Sequence, residues 1–248
     1  MIIWITGAST GLGRELAAQY AGAGHTVCVS ARGADGLESL QRELAPGSIR
    51  TYPLDITDPA AVQGVFDAIV AEAGLPDLCI LNAGTHVGDS SASFDPEHFE
   101  RIMRVNFFGT VACLTAILPA CQAAGRGHIA VVSSVAGYRG LPYAAAYGAS
   151  KAALINMCES LQPELAAQGI RLSLVNPGFV RTPLTDRNTF SMPFLTEVDI
   201  AARSMRRGLA SGRFEITFPK RFTWLVKALR LLPIALYLRL TRNLLRKD

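Results

Sequence analysis

The chain has 248 residues, half of them apolar and 18% charged, which excludes a disordered polymer and allows one α/β unit to bury a core without staples. Its five cysteines (Cys28, Cys79, Cys113, Cys121, Cys158) are odd in number and lack C-x-x-C spacing; with only four histidines they imply no disulfide framework, no metal, and a reducing, cytoplasmic compartment. The formal charge of +4 belongs to the tail: residues 219–248 carry eight Lys/Arg against one acid, 8 − 1 = +7, so the body is 16 − 19 = −3 and no nucleic-acid partner is indicated.

The opening MIIWITGA has no basic leader, so no targeting peptide is expected, and no ordinary membrane-spanning helix is expected either. A first strand over 2–6 runs into Thr6-Gly7-Ala8-Ser9-Thr10-Gly11-Leu12-Gly13, and a helix over 11–23 follows. Glycines there permit a tight turn and close approach of backbone N–H groups to a pyrophosphate, which the helix N-terminus also favours. Gly7, Ser9, Thr10, Gly11, Leu12 and Gly13 are thus candidate dinucleotide-binding residues, with the spacing G-x-x-x-G-x-G rather than G-x-G-x-x-G. A plain glycine-rich βα turn is the bland alternative.

A second strand over 26–30 ends in Val29-Ser30-Ala31-Arg32. An NAD site would place a carboxylate here for the ribose 2′-hydroxyl; Ala31 stands there instead, and Arg32 can bind a 2′-phosphate. NADP(H) is therefore preferred, with NAD(H) left open because Asp35 lies close by and Arg32 has a solvated surface role as its alternative. Next come a helix over 36–44, a strand over 49–54, a helix over 59–73 announced by Asp58-Pro59, and a strand over 78–81. Asp95-Pro96 opens a long helix over 96–124; a strand over 128–133 precedes a helix over 146–168, which Pro163 should kink or end early. A strand over 171–175, a Pro-bounded loop over 183–193, a helix over 197–210 and a strand over 214–218 complete the body.

On the helix over 146–168, Tyr147 and Lys151 are four apart and share a face. An ammonium near a phenol favours the phenolate and makes Tyr a usable general acid/base. The seven strand runs lack period-2 alternation and alternate with helices. That pattern predicts an α/β fold: a single-domain, doubly wound parallel sheet of about seven strands with helices on both faces, over residues 1–218. Residues 219–248 read as a basic amphipathic C-terminal helical extension of the same domain. Pro233 splits it, and in the second piece Arg239, Arg242 and Arg246 share one face while Leu236, Leu240 and Leu244 share another. A structural or dimer-forming cap, a peripheral membrane contact and a lid over the active site all fit this tail.

The motifs T-G-A-S-T-G-L-G at 6–13, L-D-I-T-D at 54–58, N-A-G at 82–84, Asn106 in V-N-F-F-G, S-S at 133–134, Y-G-A-S-K at 147–151 and N-P-G-F-V-R-T at 176–182 occur in the order of the short-chain dehydrogenase/reductase family. The chain resembles that family over residues 1 to about 218. The resemblance implies a Rossmann-type fold and catalytic roles for Asn106, Ser134, Tyr147 and Lys151. Tyr147 would act as the acid/base, Lys151 would also bind ribose, and Ser134, 13 residues before Tyr147, would orient the carbonyl. Asn106 would complete a proton relay. It further implies cofactor contacts from Asp55, Ile56, Asn82, Ala83, Gly84, Pro177, Val180 and Thr182, pro-S hydride transfer, and a homodimer or homotetramer. Asn82 has a structural alternative, that of tying strands together. A Gly-rich strand and turn common at the family's C-terminus is missing.

Substrate contacts should lie beyond the strand C-termini, with His86, Ser134, Ala136, Tyr143, Phe179, Phe190 and Met192 as candidates. The expected activity is that of an NAD(P)H-dependent carbonyl reductase or alcohol dehydrogenase acting on a small, hydrophobic ketone or secondary alcohol. The rival is a non-catalytic NADP-binding redox sensor, which needs the glycine turn but neither Tyr147 nor Lys151. A sugar-nucleotide epimerase fits less well, since the chain is short for one. Association with a membrane surface is expected only if the tail makes that contact.

Overall fold

The computed structural model describes residues 1–89, 94–186 and 192–242. Seven parallel strands form one sheet in the order β3-β2-β1-β4-β5-β6-β7. They are β1 (Ile2–Thr6), β2 (Thr26–Ala31), β3 (Ile49–Pro53), β4 (Leu78–Leu81), β5 (Gly127–Val132), β6 (Ile170–Pro177) and β7 (Glu215–Phe218). The expected fold class is what is found, because continuous apolar runs suit strands covered on both faces. The pleat divides each strand between two cores. Trp4 packs with helices α3 (Pro59–Ala73), α5 (Gly109–Ala124) and α6 (Ala145–Ala167), while Ile3 and Ile5 pack with α1 (Gly11–Ala21), α2 (Ala34–Glu43) and α7 (Val198–Ala210).

The chain leaves β1 toward β2 and β3, then crosses back to place β4 on β1's other edge. That reversal opens a crevice beyond the strand C-termini, where the glycine turn, the segment after β4 and the N-terminal end of α6 meet.

Three local expectations are corrected. The helix expected over 96–124 is α4 (Pro96–Met103), a π-helical turn (Arg104–Phe108) and α5. Pro163 neither ends nor breaks α6, which continues to Ala167. Its ring is exposed, so the carbonyl it leaves without an N–H partner can face water, and buried Leu165 anchors the last turn. Pro119 sits inside α5 in the same way. By length and composition alone the run Pro96–Ala124 could cross a membrane, against expectation; here Ile102, Cys113, Leu114, Ile117 and Cys121 lie in the body's interior.

Beyond β7 the chain forms α8 (Lys220–Arg230) and α9 (Ile234–Thr241). Phe222 of α8 enters the core, and Thr223 Oγ1 donates to Thr217 Oγ1 of β7 at 3.3 Å. In α9 the buried side chains are Tyr237 and Thr241, and Leu236 and Leu240 are exposed. Leu244 and Arg246 lie outside the described residues.

Candidate active site

Each strand–helix junction places one part of the crevice. The turn after β1 has Gly7 at φ +69° and Gly11 at φ +57°, the left-handed region that side chains with a Cβ rarely enter. At Gly13 the constraint is contact: an added Cβ would lie 2.4 Å from the Gly7 carbonyl oxygen. Asn82 straps this turn to β4. Its Nδ2 donates to the Thr6 and Gly7 carbonyls at 3.1 Å each, while Thr6 Oγ1 accepts from the Asn82 and Ala83 N–H groups at 3.1 and 3.2 Å. The structural alternative for Asn82 is therefore what its side chain does.

The donor set fits a dinucleotide. Thr10, the N-cap of α1, has extended backbone and makes no side-chain cap bond, and the first turn holds no acidic residue. The helix thus presents its N-terminal N–H groups and positive dipole end to an anion without a competing carboxylate. Thr182 brings the segment after β6 to the same turn; its methyl group would touch a Cβ on Gly11 at 3.1 Å. Pro177 ends β6 beside Phe218, and Val180 bridges to Thr196. Arg32 is exposed at the C-terminal end of β2. The Asp55 carboxylate, exposed, is held below its usual range, first by the Thr57 N–H and also by the charge of Arg32. Ile56 is buried against Gly109.

Tyr147, Lys151, Ser134 and Asn106 come together at the other end of the crevice. Lys151 Nζ is buried, donates to the Val132 carbonyl at 3.0 Å and lies 5.7 Å from the Tyr147 ring centroid. Burial lowers its pKa to about 8. Burial also raises the Tyr147 phenol, against which a hydrogen bond from Ser134 acts to lower it. The four-residue spacing led us to expect the ammonium to depress the phenol; here burial raises it, and the group that acts to lower it is Ser134. Ser134 Oγ accepts from the Ala136 N–H at 3.1 Å, which leaves its own proton to donate.

Asn106 lies in the π turn and is fully buried. Its Oδ1 accepts from the Thr85 N–H at 2.7 Å, and its Nδ2 donates to the Thr85 carbonyl and to Ser150 Oγ, both at 3.0 Å. The amide thus fastens the segment after β4 to α6. A Cβ on Gly84 would lie 3.2 Å from Asn106 Oδ1 and 3.5 Å from Lys151 Nζ, so glycine leaves the space that both groups face.

Among the substrate candidates, His86 packs edge-on against the Tyr147 ring with centroids 4.5 Å apart. Tyr143 holds φ at +60°, unusual for a bulky residue and a mark of local strain. Phe179 packs on Phe222 of α8, with centroids 5.6 Å apart, and Phe194 also packs on Phe222, at 5.9 Å. Met192 is half-buried, and Phe190 lies outside the described residues.

Two features have no sequence signature. Asp89 is buried and caps α6 from across the loop: its carboxylate accepts from the Ala145 and Ala146 N–H groups at 2.9 and 2.7 Å, and its own N–H donates to the Tyr143 carbonyl at 3.3 Å. The helix's own N-cap, Ala144, has no group to do this. The second feature is a clasp between the tail and the loop after Ser134. Arg139 donates to the carbonyls of Leu229, Arg230 and Leu232 and stacks on Tyr237, whose hydroxyl donates to the Gly140 carbonyl at 2.6 Å. Alongside it, Glu215 accepts from Tyr138, Asn176 and Lys227. In sequence, Asp89 is a lone acid shortly after N-A-G, with no local partner to reveal its role.

A family model described as short chain dehydrogenase matches residues 1–191. An uncharacterized oxidoreductase of Myxococcus xanthus is 38% identical over 235 residues, 94% of this chain and 93% of that protein. A dehydrogenase/reductase SDR family protein 7-like of Anopheles gambiae is 36% identical over 191 residues, 74% of this chain; the match spans 60% of that relative's length. The crystal structure of a short-chain dehydrogenase from Streptomyces avermitilis superposes with a TM-score of 0.79 at 26% identity, covering 87% of this chain and 86% of that one.

The cap geometry predicts that Asp89→Ala costs about 1–3 kcal/mol of stability in denaturant unfolding, because one buried and one part-buried N–H group lose their acceptor. Asp89→Asn, which keeps one amide oxygen, should recover part of that loss. A change under about 0.5 kcal/mol for Asp89→Ala would remove the carboxylate from this role.

Proposed function

The chain belongs to the short-chain dehydrogenase family, whose members are nicotinamide-dependent oxidoreductases, and from that premise we propose that it is an NADPH-preferring carbonyl reductase acting on hydrophobic ketones, or on secondary alcohols in reverse. One observation carries the reading: Tyr147, Ser134 and Lys151 converge at the crevice that the glycine turn opens, and Asn106 fastens the loop beside them. A nucleotide-binding regulator would need the turn alone.

A nicotinamide dinucleotide, held by the glycine turn and the N-terminus of α1, would supply or accept the hydride. The protein's own groups handle the oxygen and the proton. Tyr147, held protonated by burial, is poised to give its phenolic proton to a carbonyl oxygen. Ser134 donates to that same oxygen and polarises the carbonyl. The Lys151 ammonium stabilises the negative charge left on the phenol oxygen, and in the dry site that attraction is stronger than in water. Asn106 holds the segment carrying Gly84, and so keeps open the space beside Lys151.

Preference for NADP(H) is supported by Arg32, exposed at the end of β2 and exerting its charge on Asp55, with no carboxylate at Ala31. A hydrophobic substrate is supported by the aromatic cluster of Phe179, Phe222 and Phe194, which carries apolar surface from the loop after β6 to the tail. Five buried, unbridged thiols support work in a reducing compartment such as the cytoplasm. Exposed Phe108 at the junction of the π turn and α5 supports a homo-oligomer formed through the long helices.

Tyr147→Phe should lose at least about 100-fold in NADPH-dependent reduction across a panel of ketones and aldehydes while cofactor binding persists; retained turnover would sink the role of Tyr147. Arg32→Ala should weaken NADPH binding by about tenfold or more and NADH binding little; equal losses would mean that Arg32 does not read the phosphate. Finally, kcat/KM for NADPH should fall as pH rises through about 8, where Lys151 loses its ammonium, since below that pH the charge is present and the phenol stays protonated throughout. A flat profile across that value would show that the ammonium is not needed.

A further inference from the structure

The tail helices present an outer face that no part of the described chain covers. Trp224 is 71% exposed and Leu231 85%, and Leu225, Ile234 and Leu238 are also more than half exposed. Monomeric proteins seldom leave so many large apolar side chains together in water. Helical spacing puts Leu225, Ala228 and Leu231 around Trp224 on the outer side of α8, opposite buried Phe222. Cations interleave with them. Residues 219–242 hold six Lys/Arg and no acid, and Arg221, Arg230, Arg239 and Arg242 are exposed. Among the described residues, Lys227 is the tail cation paired with a carboxylate, that of Glu215.

The face is held in place rather than loosely attached. Arg139 satisfies the carbonyls that end α8 and stacks on Tyr237 of α9. Phe222 and Thr223 seat α8 on the body. Ordering costs that a flexible tail would meet on docking are therefore already met in the fold.

We propose that this face, built from Trp224, Leu225, Leu231, Leu238, Arg221 and Arg239, docks on an anionic lipid surface. The chemistry is that of an interfacial helix pair: an aromatic and leucines enter the headgroup boundary while arginines meet lipid phosphates. A second copy of the chain is the poorer occupant, because two such faces would set exposed Arg221, Arg230, Arg239 and Arg242 of one against those of the other. The body, at −3 overall, adds no basic surface of its own, so the chain's cationic character is confined to the tail. The docking itself stands apart from the reductase reading and would hold for an inactive chain.

The chain carries its own reporter. Of its two tryptophans, Trp4 is fully buried with Nε1 donating to Ser30 at 3.0 Å, so a change in emission on docking comes from Trp224. The full-length protein is mixed with vesicles of phosphatidylcholine containing roughly one-third phosphatidylglycerol and, separately, with phosphatidylcholine alone, at low salt. The expected result is sedimentation with the anionic vesicles together with a blue shift of Trp224, both reversed by high salt and both weak on neutral vesicles. Arg221→Glu with Arg239→Glu, both at exposed positions, should lower partitioning by roughly 25-fold or more, about fivefold for each cation removed, from the ~1 kcal/mol that a basic side chain contributes beside an anionic leaflet. An unchanged melting temperature shows that this variant is folded. Absence of sedimentation with anionic vesicles overturns the proposal, as does equal binding to both compositions. A blue shift that appears without lipid and tracks a doubling of molecular mass would assign the face to a second copy and overturn it as well.

Discussion

Everything at the crevice depends on how closely the turn after β1 can approach β4. The two strands are neighbours in the sheet, and each must also release its chain toward a different helix. One amide resolves the conflict. Asn82 gives both of its N–H groups to the Thr6 and Gly7 carbonyls, and the hydroxyl of Thr6 in turn accepts from the backbone of residues 82 and 83. Gly13 is glycine for the same reason, since a methyl group there would strike the oxygen that Asn82 holds. The N-terminus of α1 is then left pointing outward with its donors free for an anion, which is the property a dinucleotide site requires.

The acid/base end follows a different logic, in which burial is the working force. A lysine brought from its ordinary range to about 8 has its ammonium disfavoured by roughly 3 kcal/mol. The fold tolerates this because Nζ reaches the Val132 carbonyl, and because α6 is anchored at several points around it. Ser133 donates to the Lys151 carbonyl, Asn106 to Ser150, and the Asp89 carboxylate holds the first turn. A charge near its titration point responds strongly to whatever enters the site. A developing negative charge on the Tyr147 oxygen would favour the ammonium more here than in water, where the higher dielectric weakens the attraction.

Most of this was legible in the sequence, and the reasons are physical. Seven apolar runs separated by helical stretches leave few topologies open once crossovers must be right-handed. The four-residue spacing of Tyr147 and Lys151 is enough by itself to put them on one helix face. What escaped has a common cause, because it depends on contacts distant in sequence or on backbone states with no residue signature. Asp89 meets Ala145 and Ala146 across 56 and 57 residues. The π turn that carries Asn106 inward looks, in sequence, like any other part of a long helix. Pro163 is a helix breaker by its own chemistry, but its exposed side leaves the freed carbonyl to water and Leu165 stays buried, and both facts belong to the surroundings of the last turn rather than to the proline.

The tail illustrates the same limit from the other side. Hydrophobic spacing alone put leucines on one face and arginines on another without saying which meets the body. The inward face is instead set by a cation: Arg139 needs acceptors, finds the carbonyls left over at the end of α8, and stacks on Tyr237, whose hydroxyl returns to Gly140. Those polar and aromatic contacts use up the side of α9 that faces the body, so Leu236, Leu238 and Leu240 have nowhere to go but outward beside the arginines. The loop being clasped follows Ser134 in the chain. The exposed apolar surface thus sits on elements fastened directly to the loop that follows Ser134.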